Sequence, residues 1–208
     1  TSPTSYYYSF NVDPYFRDLY NDGDYRKDLI QWGTDPGATV TEHGIVWMRN
    51  KKFRFRDVEN KLADIILMRV AEIYLINAEA KAQLNDPDAV NVLNTLKAAR
   101  GADLTATGLS KQELLEEIWL ERRKELWGEG FAMFDIKRLD KQVIRSYAGT
   151  NHPEGYRWNA DVYGTNDGNN YPNWMDFCIV QTEGNYNTEL VNNPTPIKPT
   201  SDSAEYSW

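Results

Sequence analysis

The stretch Leu62–Leu84, LADIILMRVAEIYLINAEAKAQL, restricts the folds open to this chain more than any other. At helical period its polar residues Arg69, Glu72, Glu79 and Gln83 make one narrow strip, interrupted by Ile76. Most of the remaining circumference is Ile, Leu, Val, Met, Ala and Tyr, so the helix is expected to be packed on most sides. At about 1.5 Å per residue it would run roughly 35 Å, the span of a small domain. Asp64, Arg69, Glu72 and Glu79 interrupt it, and no charge-free apolar run reaches the ~20 residues of a membrane helix. Its expected role is structural.

Three more helices are expected after it. Asp86-Pro87-Asp88 supplies an N-cap, a proline at the first helical position and an acid in the first turn. The helix Pro87–Arg100 then places Ala89, Val92, Leu93, Leu96 and Ala99 on one face, and Gly101 suits its stop. A loop, Ala102–Leu109, leads to Ser110-Lys-Gln-Glu113, the pattern of a capping box. The helix it opens runs to about Trp127 on Leu114, Leu115, Ile118, Trp119, Leu126 and Trp127. Gly128 and Gly130 break it, and Phe131–Leu139 makes a short fourth helix. Two consecutive helix pairs with short connections resemble a tetratricopeptide layout.

The flanks lack such a period. In 1–61, Asp13-Pro14, Asn21-Asp22-Gly23-Asp24 and Asp35-Pro36-Gly37 signal turns. Gly44–Met48 and Lys52–Arg56 suit strands, and Arg17–Tyr20 or Tyr25–Trp32 a short helix. In 141–208, GTNDGNN is a loop, and Asn193-Pro-Thr-Pro196 and Lys198-Pro199 look extended. Irregular flanks this long are expected partly to wrap the helices (62–140) and partly to pack against a missing portion. The opening TSPTSYYYSF carries no initiator Met, charged n-region or apolar h-region, and looks cut from a longer protein.

Composition excludes several chemistries. A 208-residue chain that is 41% apolar and 26% charged suits one globular domain. A net charge of −8 argues against a nucleic-acid partner. A single cysteine, Cys178, rules out an internal disulfide framework and a cysteine zinc cluster; between Phe177 and Ile179 it is expected to be buried. His43 and His152 lie in no metal-ligand spacing. Nucleophile elbow, phosphate loop and dinucleotide fingerprint are absent, and no cofactor is implied. A calcium loop over 164–170 would need an acid at 163, where Tyr stands. Glu117 and Glu121, beside Arg122, Arg123 and Lys124, fit a salt-bridged helix face better than a catalytic pair. Asp161 and Asp167 are available to a glycosidase mechanism, but nothing pairs them, and the chain is not expected to be an enzyme. Loop aromatics remain: Tyr6, Tyr7, Tyr8, Phe10, Trp32, Trp47, Trp158, Tyr163 and Tyr171, whose rings pack or stack on a ligand.

LMRVAEIYLINAEAKAQLND followed by AVNVLNTLKAARGA resembles the Arg-x-Ala-Glu-x-Tyr-Leu-x-x-Ala-Glu-Ala and Leu-Asn-x-x-(Arg/Lys) helices of the SusD/RagB family. IWLERRKELWGEGFAMFDIKRLD resembles its Glu-Arg-Arg-x-Glu-Leu-x-x-Glu-Gly signature through Glu121, Arg122, Arg123, Glu125, Leu126, Glu129, Gly130, Asp135, Ile136 and Arg138. FCIVQTEGNYN resembles the family's Pro-Ile-Pro-Gln-x-Glu through Ile179, Gln181, Glu183 and Asn187, with Cys178 and Val180 replacing the prolines; Asp24-Tyr-Arg26 sits where members often carry Asp-x-Arg. The resemblance implies a mainly α fold with tetratricopeptide-like pairs and loop-rich flanks. It further implies a lipid-anchored outer-membrane protein that captures oligosaccharide for a TonB-dependent, SusC-type transporter. Members are more than twice this long, so the chain is expected to be a carboxy-terminal part whose amino-terminal half is absent. A peptide-binding member, or a helical adaptor acting only through protein contacts, are the alternatives. Ligand contacts are expected from Trp32, Trp47, Tyr6, Tyr7, Tyr8 and Arg26, and inter-helix ion pairs from Arg69, Glu72, Glu79, Glu121, Arg122 and Glu125. On that reading Glu72→Ala lowers the melting temperature without altering ligand selectivity, and equal melting temperatures contradict it.

Overall fold

The computed structural model describes residues 12–32, 48–50, 52–53, 59–60, 62, 67–160, 168–193, 195 and 198–208. They fall into two compact units, Thr1–Ala132 and Met133–Trp208. The fold is mainly α, as expected. Among the described residues the strands are short: β1 (Ile30–Trp32) pairs antiparallel with β2 (Met48–Asn50), Gln31 opposite Arg49. No helix among these residues is long and apolar enough to cross a membrane.

The first unit opens with α1 (Pro14–Asp18), where Asp13 accepts a hydrogen bond from the Tyr15 amide and proline takes the first turn. A 3-10 turn, Tyr25–Leu29, leads into β1, so the helix expected over Tyr25–Trp32 stops short of Ile30. Helix α2 (Val70–Gln83) begins well after Leu62. Leu67–Arg69 are not helical; Arg69 is the N-cap, extended as N-caps commonly are, and its side chain enters an ion cluster at Glu125 and Glu129. Asn85, at φ 57, ends the helix in the left-handed conformation, and the Asp86 amide donates to the Lys81 carbonyl.

Helix α3 (Ala89–Ala98) starts two residues later than its proline suggested, with Asp86 Oδ1 accepting from the Asp88 amide. Helix α4 (Lys111–Leu126) has the capping box in full: Ser110 Oγ accepts from the Glu113 amide, and Glu113 accepts from the Ser110 amide. These three helices share one core of Ala71, Leu75, Ala78 and Ala82 from α2, Ala89, Val90, Leu93 and Leu96 from α3, and Leu114, Ile118 and Leu126 from α4. The alanines of α2 let its neighbours approach closely. Ala99, expected in the core, is exposed beyond the end of α3.

Helix α2 is not packed on most sides. Opposite its buried face, Ile73 and Ile76 are about half exposed (50% and 48%) and Leu84 is 80% exposed. The sequence reading missed that two apolar faces, rather than one broad one, share this helix.

A smaller cluster of Val12, Tyr20 and Ile30, with Phe16 and Trp127 against it, anchors the segment before β1. The second unit takes all but the first residue of α5 (Ala132–Arg138), a 3-10 turn at Asn173–Met175 and the short α6 (Gln181–Gly184). Asp140 gathers the end of the GTNDGNN loop, accepting from the Asn170 amide, its side-chain amide and the Tyr171 amide. Cys178 is exposed rather than buried, its thiol 3.6 Å from the Asn193 carbonyl.

Gly101 ends α3 at φ 69, and a Cβ there would lie 2.4 Å from the Gly23 carbonyl oxygen. Both the left-handed backbone and the close approach require glycine. Gly101→Ala is expected to destabilise the fold by ~1–3 kcal/mol, measured by denaturant unfolding.

Candidate functional site

The densest polar constellation lies in the first unit, around Glu125 in the last turn of α4. Arg100, just past α3, holds this carboxylate with both Nε and Nη2 at 3.0 Å. Arg69 Nη1 donates to Oε1 at 2.7 Å, and Arg26 Nη1 to Oε2 at 2.7 Å. Arg26 also grips Asp24 with Nε and Nη2, and its Nη1 lies 2.6 Å from Glu121. Lys124 is 3.2 Å from the second oxygen of Glu121. Arg69 continues to Glu129 with Nε and Nη2, while Lys52 pairs with Glu129 and donates to the Glu125 and Trp127 carbonyls at 2.9 Å. Lys52 thereby satisfies carbonyls that the helix end leaves without partners.

The charges set one another. Burial pushes the Glu125 carboxyl up, but hydrogen bonds from Arg100 and Arg69 and the charges of Arg100 and Arg26 outweigh it, leaving it at about 2 against an ordinary 4.5. Glu129 is lowered the same way, burial opposing and Arg69 and Lys52 prevailing. Burial pushes the Lys52 ammonium down and the Tyr20 phenol up. The Tyr20 hydroxyl donates to the Lys124 carbonyl at 2.8 Å. A carboxylate held this low by three guanidinium groups accepts no proton near neutrality, so Glu125 is unsuited to general acid–base work. The cluster is a clasp.

The expected ion pairs divide. Arg69, Glu121 and Glu125 lie in the clasp, and Arg122 is buried with its guanidinium 5.1 Å from the Phe131 ring centre. Glu72 and Glu79 are half-buried on α2, outside the clasp. Glu72→Ala is therefore expected to cost only the ~0.3–1 kcal/mol of a first-turn acid. Arg26, expected at a ligand surface, is 4% exposed with each guanidinium nitrogen engaged by a carboxylate, and belongs with the clasp. Tyr6, Tyr7, Tyr8 and Trp47 lie outside the described residues, as do Asp161 and Asp167; Trp32 is placed by its backbone in β1. Among the described residues no group of His, Cys, Asp or Glu could hold a metal ion.

The second unit holds a different constellation, which the sequence reading missed. Segment 202–206 is tied to 145–147 on one flank and 155–159 on the other. The Tyr206 amide donates to the Ser146 carbonyl and the Ser203 amide to the Arg157 carbonyl, both at 2.9 Å. Asn159 Oδ1 accepts from the Arg145 and Ser146 amides, and the Asn159 amide donates to Ser203 Oγ at 2.8 Å. Asp202 accepts from the Gly155 and Arg157 amides, which lowers its carboxyl, the Gly155 bond most. Ser146, Asn159 and Ser203 are all buried. Aromatic rings cover this knot: Tyr147, Tyr206 and Trp208 pack edge to face, and Tyr156 tilts against Trp158 beneath the Lys198 ammonium. The sequence signal was the alternation Tyr206-x-Trp208 beside Ser203.

A sequence profile of the SusD family matches residues 7–195. The chain belongs to the SusD family. A solved SusD-like carbohydrate-binding protein of Bacteroides vulgatus is 54% identical, with a TM-score of 0.72 over 91% of this chain and 43% of that one. A SusD superfamily protein of the same organism, 24% identical with a TM-score of 0.57 over 83% of this chain and 36% of that one, shares the fold. A SusD-like protein of Formosa agariphila is 34% identical over 107 residues, 46% of this chain and 21% of its own length. The chain thus spans less than half the length of these relatives.

The clasp generates a pH dependence. A carboxyl whose folded pKa lies below its unfolded value stabilises the fold above the unfolded value, and that contribution is lost as pH falls through the folded one. Stability is therefore expected to decline from about pH 4.5 toward about 2, with Glu125 a main contributor. Glu125→Ala should cost ~3–5 kcal/mol at neutral pH, because it leaves three cations facing a hole, and should flatten the acid limb. Unfolding midpoints of parent and variant across that range measure both effects.

Proposed function

We propose that this chain is part of a surface carbohydrate-binding protein that captures oligosaccharide without cleaving it and passes it to a TonB-dependent, SusC-type transporter. The observation that carries the reading is the 54% identity, across 91% of the chain, to a SusD-like carbohydrate-binding protein. The whole protein would be longer, tethered to the outer membrane by a lipid on its amino-terminal part, with these 208 residues as its carboxy-terminal portion. Binding would rest on aromatic stacking and neutral hydrogen bonds, the chemistry of a site that holds a sugar and releases it intact. In the amino-terminal flank Tyr6, Tyr7, Tyr8, Trp32 and Trp47 are the proposed contacts. The carboxylates of the clasp, each facing guanidinium or ammonium groups, support a binder rather than a hydrolase.

A second reading, contact with another protein, is favoured by the open face of α2 at Ile73, Ile76 and Leu84. It is compatible with the first if that face meets the remaining polypeptide or the transporter. Affinity electrophoresis of the intact protein in gels containing plant, algal and host polysaccharides tests the main reading. Retarded migration in at least one gel, with no reducing ends released, is expected. Unretarded migration in all of them contradicts glycan capture, and released reducing ends contradict a binder without catalysis.

A further inference from the structure

We propose that Tyr206 and Trp208 form a stacking subsite for a neutral pyranose ring with equatorial hydroxyls, a placement that rests on the carbohydrate-binding reading above. Residues two apart on an extended segment point to the same side, so the alternation brings both rings to one face. The ring centroids lie 5.2 Å apart at 71°, so the two rings meet edge to face in a corner. Tyr206 is 41% exposed and Trp208 66% exposed, large apolar area to leave in water beside a segment whose Ser203 and Tyr206 amides are both bonded.

The corner is backed by a buried ring. Tyr147, buried, meets the Trp208 ring edge to face at 6.2 Å and forms a parallel bridge with Tyr206. The buried Ser146–Asn159–Ser203 network fixes the segment at Ser203, and the Tyr206 amide bonds the Ser146 carbonyl. Aromatic side chains with two torsions on a fixed backbone lose little freedom when a ligand arrives. The chemistry selects the ligand. An aromatic face is electron-rich, and a pyranose with equatorial hydroxyls presents a flat face of C–H groups of opposite polarity. The neighbouring pair Tyr156–Trp158 is a poorer candidate, because the Lys198 ammonium sits over both rings at 5.1 and 5.5 Å.

The test is calorimetric titration of the intact protein, as parent, Trp208→Ala, Trp208→Phe and Tyr206→Ala, with cellohexaose, xylohexaose and maltoheptaose. Parent binding to at least one is expected, weakened about ten-fold or more in Trp208→Ala and less in Trp208→Phe, with melting temperatures close to the parent's. Parent binding with unchanged affinity in both alanine variants overturns the subsite and leaves the carbohydrate reading standing. No parent binding to any of the three overturns the subsite, and a glycan captured in electrophoresis would still uphold the wider reading. Equal losses in Trp208→Phe and Trp208→Ala with lowered melting temperatures assign the ring a packing role and overturn the subsite. Unchanged sugar affinity with loss of a co-purifying protein makes the corner a protein contact and also overturns it.

Discussion

The coordination of Glu125 by Arg26, Arg69 and Arg100 is the interaction on which the first unit depends. Each arginine comes from a different part of the chain: the turn after Asp24, the residue before α2 and the second residue after α3. A short helical core fixes α2, α3 and α4 against one another, and the irregular segments before them are held by the small Val12–Tyr20–Ile30 cluster and a few backbone contacts. The clasp adds a charged hold at Asp24, Arg26 and Lys52. Two-pronged guanidinium–carboxylate contacts have a preferred plane, so they fix orientation as well as distance. Arg69 shows the consequence for secondary structure, since its outward reach coincides with an extended backbone at the start of α2.

Local signals were legible from sequence. Ser110 and Glu113 specified their capping box within four residues, and Gly101 marked the end of α3 through its backbone conformation alone. The motif around Glu121 and Glu125 was legible as inter-helix ion pairing. What sequence could not supply was which residues would meet across long separations. Arg26 is 99 residues from Glu125, and no periodicity marks a lone arginine in a loop as a clasp member. Glu72 and Glu79 lie on the same helix strip as Arg69 and looked equivalent to it, yet it is the N-cap Arg69 whose side chain reaches Glu125 and Glu129. Helix α2 was over-read because apolar count fixes how much surface could be buried, not how much is buried among these residues. Tyr206 and Trp208 escaped notice because the partners that pin their segment, Ser146 and Asn159, lie far upstream.

The two units are each pinned by a different kind of polar network. In the first, cations and carboxylates neutralise one another in a buried network whose role ends at holding backbone in place. In the second, neutral Ser and Asn side chains bond the backbone and leave aromatic rings at the surface. A protein that binds an uncharged sugar and later releases it has use for the second arrangement: stacking is modest per ring, needs no proton transfer and leaves the ligand chemically intact. The first arrangement holds its own unit together in acid until Glu125 is protonated.

Hydrogen exchange of the intact protein, with and without a saturating glycan identified by electrophoresis, tests this division most directly. Ligand-induced protection is predicted over 202–208, with little change at 24–26 and 121–125. Protection centred on 24–26 and 121–125, with 202–208 unchanged, would place the ligand at the clasp and contradict it.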